Sequence, residues 1–106
     1  MAKITYYPVC PTNELPPGER LFIELGDQPV VILNLAGEYY AIGDVCTHDQ
    51  GPLGEGEVED HEIICPRHGA RFDIRTGEVR ALPAIQDIPT YPVRVNDNIV
   101  EIGLEE

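Results

Sequence analysis

Apolar residues along this chain come in short runs parted by turn formers, and no window keeps the three-and-four spacing of an amphipathic helix for more than about a turn or two. The pattern predicts an all-β chain. Strands are expected at Ile4 to Val9, Glu19 to Leu25, Val30 to Leu35, Glu38 to Ile42, His61 to Ile64, Ala70 to Ile74, Tyr91 to Val95 and Ile99 to Ile102. Strict alternation in Leu21-Ile23-Leu25 and in Val93-Val95 puts each set on one face of a sheet and marks it as core. Pro16-Pro17-Gly18, Gly26-Asp27, Ala36-Gly37, Thr76-Gly77 and Asn96-Asp97-Asn98 punctuate the runs. Proline cannot donate to a ladder, and the other pairs tolerate positive φ.

The strand signal lapses in three places. It stops from Asp44 to Gly56, and again from Pro66 to Gly69, where Ile63-Ile64 runs straight into Cys65. From Leu82 to Pro92 three prolines predict an extended surface loop. No linker or repeat divides the chain, so residues 1–106 read as one domain, long enough to bury a single core.

Composition sharpens this. Ten Gly and ten Pro favour turns over long helices. Seven Lys and Arg against nineteen Asp and Glu leave a net charge of −12, which repels nucleic acid phosphates and anionic membrane surfaces and attracts a positively charged partner face. No run approaches the roughly 20 apolar residues of a membrane span, and MAKITYYPVC lacks the apolar centre of a signal peptide, so a cytoplasmic protein is expected. Three Cys, at positions 10, 46 and 65, form no disulfide framework and point to reduced thiols with metal or redox work.

Both lapses flanking Ile63-Ile64 carry chemistry: Cys46-Thr47-His48 in one and Cys65-Pro66-Arg67-His68 in the other. A thiolate and an imidazole so close within a turn can point the same way, and the sixteen residues between His48 and Cys65 suffice for an excursion that brings the two turns face to face. Sulfur with nitrogen suits zinc, iron–sulfur clusters and copper and argues against magnesium or calcium. Zinc competes seriously, although structural zinc sites usually pair Cys near Cys and His near His. His61 has no thiol at turn spacing and reads as a surface residue, and Cys10 as a small, partly buried side chain. Tyr6, Tyr7, Tyr39, Tyr40 and Tyr91 read as strand packing. Glu55, Glu57, Glu59, Asp60 and Glu62 form either a solvated hairpin or a lure for a basic partner.

The paired motifs Cys-x-His and Cys-x-x-His-Gly, carried by Cys46, His48, Cys65, His68 and Gly69, resemble the Rieske family. The likeness extends to Arg71-Phe72-Asp73, Thr76-Gly77, Leu82-Pro83-Ala84 and Thr90-Tyr91-Pro92-Val93, and so spans nearly the whole chain. It implies a Rieske-like antiparallel β-sandwich with cluster-binding loops at about 44–56 and 65–70. It further implies one [2Fe–2S] cluster, with Cys46 and Cys65 on one iron, His48 and His68 on the other, and Pro83 in a covering loop. Two neutral imidazoles in place of thiolates raise the reduction potential into a window of about −150 to +300 mV. High-potential members carry an extra Cys in each loop, where this chain has Gly51 and Arg67. They also offer Ser and Tyr hydroxyls where it has Ala70 and Phe72, so the low end is expected.

By the same resemblance the chain is a ferredoxin without a catalytic site of its own, similar to those of aromatic-ring-hydroxylating dioxygenase systems. It would carry single electrons, as a monomer, from a flavin-dependent NAD(P)H reductase to a terminal oxygenase containing non-haem iron. His48 and His68 would be the electron entry and exit point, with outer nitrogens able to couple proton uptake to reduction. Two alternatives stand beside this: a small subunit of an assimilatory nitrite reductase, and a structural zinc module.

Overall fold

The computed structural model describes residues 3–105. Met1, Ala2 and Glu106, the ends of the expected domain, lie outside the described residues. The strands are β1 (Ile4–Pro11), β2 (Arg20–Leu25), β3 (Gln28–Leu35), β4 (Glu38–Gly43), β5 (Val58–Glu59), β6 (Glu62–Ile64), β7 (Arg71–Asp73), β8 (Val79–Ala81), β9 (Thr90–Tyr91), β10 (Val93–Asn96) and β11 (Ile99–Glu105). A single 3₁₀ turn at Thr12–Glu14 is the one helical element among the described residues. All pairings are antiparallel, in three sheets ordered β1-β11-β10, β2-β3-β4-β9 and β5-β6-β7-β8.

The all-β expectation holds, with two cores rather than one. The run Val30-Val31-Ile32-Leu33 does not alternate because β3 is buried on both faces. Val30 and Ile32 join Leu15, Ala41 and Ile102 in a core facing the β1-β11-β10 sheet. Val31 and Leu33 join Ile42, Leu53, Ile63, Phe72 and Ile74 in a second core toward the β5-β6-β7-β8 sheet. Cys46 and Cys65 belong to this second core, so the sheet that organises the molecule also backs the two chemical loops.

Leu21, Ile23 and Leu25 share one face of β2, as their alternation predicts, and pack against the first core. Val93 does so too, but Val95 is 48% exposed: it lies on the edge strand β10, beside the Asp97-Asn98 turn, and the expectation that it is core fails. The expected strand from Tyr91 to Val95 is two strands in different sheets, divided at Pro92, which has no N–H to continue a ladder. Strands β5 and β8 escape the sequence pattern. Val58 stands alone between two glutamates, and both segments become strands through pairing with β6 and β7. The proline-rich loop is exposed at Leu82 and Ile85, but its Ala84 and Ile88 are buried in the second core, which corrects the reading of this whole stretch as surface. His61 sits in the turn before β6, half-buried, with its carbonyl accepting the Ile74 N–H at 2.7 Å; it neither heads a strand nor lies freely on the surface.

Candidate metal centre

The two loops use the same turn. In the first, the Cys46 N–H donates to the Gly51 carbonyl at 2.8 Å and the Cys46 carbonyl accepts the Gln50 N–H at 2.7 Å. In the second, the Cys65 N–H donates to the Ala70 carbonyl at 2.7 Å and the Cys65 carbonyl accepts the Gly69 N–H at 3.0 Å. The residue four positions after each Cys has positive φ, +63° at Gln50 and +78° at Gly69. That conformation reverses the chain and is cheap for Gly69. In each turn, two backbone N–H groups face the sulfur, those of His48 and Asp49 for Cys46 and those of Arg67 and His68 for Cys65.

Those amides matter because the sulfurs are withdrawn from water: Cys46 is fully buried and Cys65 is 1% exposed. Burial pushes the Cys46 thiol up, and the backbone N–H of His48 only partly offsets it. Burial acts on Cys65 in the same sense, but the N–H groups of Arg67 and His68, joined by the Cys46 side chain and the Arg67 charge, bring that thiol below its ordinary value. His48 and His68, by contrast, are exposed, and their rings meet edge to face with centroids 4.9 Å apart. The four residues singled out from the sequence are therefore brought together as two buried sulfurs beneath two exposed imidazoles.

Neighbouring elements fix the loops. The Asp44 carboxylate accepts the N–H groups of Leu53 and Gly54 at 2.9 and 2.6 Å. Arg20, from β2, donates one guanidinium nitrogen to the carbonyls of Gly54 and Gly56 at 2.5 and 2.8 Å. A side chain at Gly56 would run into the Ile64 carbonyl, so glycine is required where the excursion passes β6. The Thr47 hydroxyl donates to the Gln86 carbonyl at 2.6 Å, tying the proline-rich loop to the first turn. In that loop the Leu82-Pro83 peptide is cis, with Leu82 75% and Ile85 80% exposed. Ala70 and Phe72 are fully buried and carry no hydroxyl.

Sequence reasoning missed an ion pair that spans the site. Gly51 and Arg67 are neighbours: a Cβ on Gly51 would lie 2.8 Å from the Arg67 guanidinium carbon. That guanidinium grips Asp49 with two nitrogens, Nε to Oδ2 at 2.6 Å and Nη2 to Oδ1 at 2.8 Å. The pairing drives the Asp49 carboxyl well below the usual carboxylate range. Donor atoms of His48, Asp49 and His68 all lie within 4.8 Å of one another, yet Asp49 is committed to Arg67. The available signal was one acid three residues after the first Cys and one base two residues after the second. Arg20 and Asp44 gave no comparable signal, because their partners are backbone groups more than eight residues away. Cys10 stands apart, half-buried in β1 against the other core, its thiol pushed up by burial and by Glu14.

The donor set fits an iron–sulfur centre of mixed ligation. Two buried sulfurs with amides aimed at them suit thiolate ligands to a group that must be kept from water, and neutral imidazoles complete it at the surface.

Comparison with known proteins agrees. A family model described as "Rieske [2Fe-2S] domain" matches residues 5–92. The chain is 38% identical over 97 residues to the ferredoxin component of biphenyl 2,3-dioxygenase from Rhodococcus jostii (strain RHA1), covering 92% of this chain and 91% of that protein. It is 41% identical over 99 residues to the 3-phenylpropionate/cinnamic acid dioxygenase ferredoxin subunit of Escherichia coli (strain K12), covering 92% of each. Among solved structures, a chain from a complex of reduced oxygenase and oxidized ferredoxin in carbazole 1,9a-dioxygenase superimposes with a TM-score of 0.84 at 28% identity, covering 92% of this chain and 91% of that one.

Proposed function

Since the chain belongs to the Rieske [2Fe–2S] domain family and carries one such cluster, we propose that Cys46 and Cys65 hold one iron and His48 and His68 the other. The protein is a ferredoxin-type electron carrier and not a catalytic subunit, in keeping with the dioxygenase ferredoxin components it resembles. It delivers electrons to a terminal non-haem iron oxygenase and receives them from a flavin-dependent NAD(P)H reductase. A ferredoxin of similar fold in complex with an oxygenase supports the first of these partners. The nitrite reductase and zinc readings are weaker, because both of these relatives are ferredoxin components.

The cluster, when bound, supplies reversible one-electron chemistry at a potential set by its mixed ligands. The chain's own residues supply the rest. Burial of Cys46 and Cys65 excludes water from the sulfurs, and four backbone N–H groups offset thiolate charge. His48 and His68 bring the centre to the surface, where a partner can approach, and the exposed Leu82 and Ile85 beside the first turn offer an apolar margin for contact. All four donors fall within residues 46–68 of one chain, so the site needs no second copy, and we read the protein as a monomer with a single domain over residues 1–106. With Cys46 and Cys65 assigned to the cluster, Cys10 has no cysteine left to pair with, and a chain built without disulfides supports the cytoplasm as its location. Among the described residues, no helix is long and apolar enough to cross a membrane.

The observation that carries this reading is the repeated turn that sets two buried sulfurs behind two exposed imidazoles. Isolated protein should be coloured and contain two irons and two sulfides per chain. His48→Ala and His68→Ala should lose or destabilise the visible spectrum, whereas His61→Ala keeps it. Colourless protein with equimolar zinc and no inorganic sulfide would refute the proposal.

A further inference from the structure

Arg67 makes three bonds across the site. Besides the two to Asp49, its Nη1 donates to the Pro52 carbonyl at 2.5 Å, so a side chain from the second loop grips the first loop at two points. Asp49 in turn accepts the Gly51 N–H at 2.9 Å, which fixes its carboxylate against its own loop. Both side chains are partly shielded, at 32% and 25% exposure, and glycine at position 51 leaves the space the guanidinium occupies. A two-pronged arginine–carboxylate contact defines both distance and orientation, which a lysine cannot do.

The pair also bears on charge. Arg67 stands between Cys65 and His68 in the second loop, and the Asp49 Oδ2 lies 3.7 Å from the His68 Nδ1. A positive charge beside the centre favours an added electron and a negative one opposes it. Held together, the two nearly cancel.

We propose that Asp49 and Arg67 form a charge-neutral clasp that holds the two cluster loops in register and keeps the reduction potential from being pulled in either direction. They are positioning residues, acting through the loops that carry Cys46, His48, Cys65 and His68. The inference rests on the ligation proposed above.

The test uses cluster-loaded protein carrying Asp49→Asn, Arg67→Gln or Arg67→Lys singly, and a double variant that combines Asp49→Asn with Arg67→Gln. Two quantities are read at low ionic strength: the midpoint potential, and the half-life of visible absorbance in excess chelator. Asp49→Asn should raise the potential, Arg67→Gln should lower it, and the double variant should return close to the parent. Arg67→Lys should hold the potential near the parent value yet lose its cluster faster, by roughly twofold to fivefold, as the other variants do. Single variants that shift the potential in the same direction, or half-lives equal to the parent's, would overturn the clasp. Failure of the underlying ligation is distinguishable, since the parent itself would then hold no cluster.

Discussion

Asp73 shows how one residue supports the site without touching it. It ends β7 at 2% exposure, and its carboxylate accepts hydrogen bonds from the Arg75 guanidinium at 3.1 Å, the Arg75 N–H at 2.8 Å and Arg80 at 3.3 Å. The Arg75 side chain is the main cause of its pKa falling from 3.8 to about 2. Because the folded pKa is depressed, the stabilisation is fully present above the unfolded value near 4 and is lost as pH falls toward 2. A shift of that size corresponds to about 2 kcal/mol. Asp73→Asn should therefore cost stability at pH 6 in urea unfolding, and the gap from the parent should narrow below pH 4. A gap that stayed constant down to pH 2.5 would mean that charge is not what Asp73 contributes.

At the scale of elements, β2 and β3 decide where the first loop lies. β3 supplies a floor buried on both faces, and β2 reaches over it with Arg20 to hold the carbonyls of Gly54 and Gly56. Two bonds from a charged donor, partly buried, are worth on the order of 1–3 kcal/mol. Arg20→Ala should lower stability by about that amount and speed amide exchange at Leu53, Gly54 and Gly56, while exchange in the β1-β11-β10 sheet stays unchanged. Uniform acceleration across all three sheets would instead assign Arg20 a global role. The apolar flank of Arg20's strand, half-buried against the first core, explains why the same element serves packing and loop placement together.

For the whole molecule, charge and exposure divide the labour of meeting a partner. A net charge of −12 would draw a basic partner face over distances limited by a Debye length of roughly 10 Å at 0.1 M salt. The proline-rich loop tied to the first turn through Thr47 and Gln86 exposes the uncharged Leu82 and Ile85, and under the proposed function these would add an apolar margin to contact at the histidine end. Electron delivery to the oxygenase should fall as salt rises, and neutralising Glu55, Glu57, Glu59 and Glu62 should flatten that dependence. Leu82→Ser with Ile85→Ser should slow delivery at every salt concentration while leaving the visible spectrum intact. Unchanged rates in that variant would place the contact elsewhere.

Periodicity and punctuation were enough to read the all-β class and the main strands, because turns such as Ala36-Gly37 and Asp97-Asn98 are local events governed by one or two residues' φ. The spacing of Cys46, His48, Cys65 and His68 was equally legible, since each pair acts within a single turn. What the sequence did not reveal is whatever depends on partners distant along the chain: the strands β5 and β8, the burial of Ala84 and Ile88, the exposure of Val95 and the grip of Arg67 on Asp49. Local preference chooses turns and strand runs, but pairing, burial and ion-pair geometry exist only once the sheets have stacked, and so the tertiary structure alone decided them.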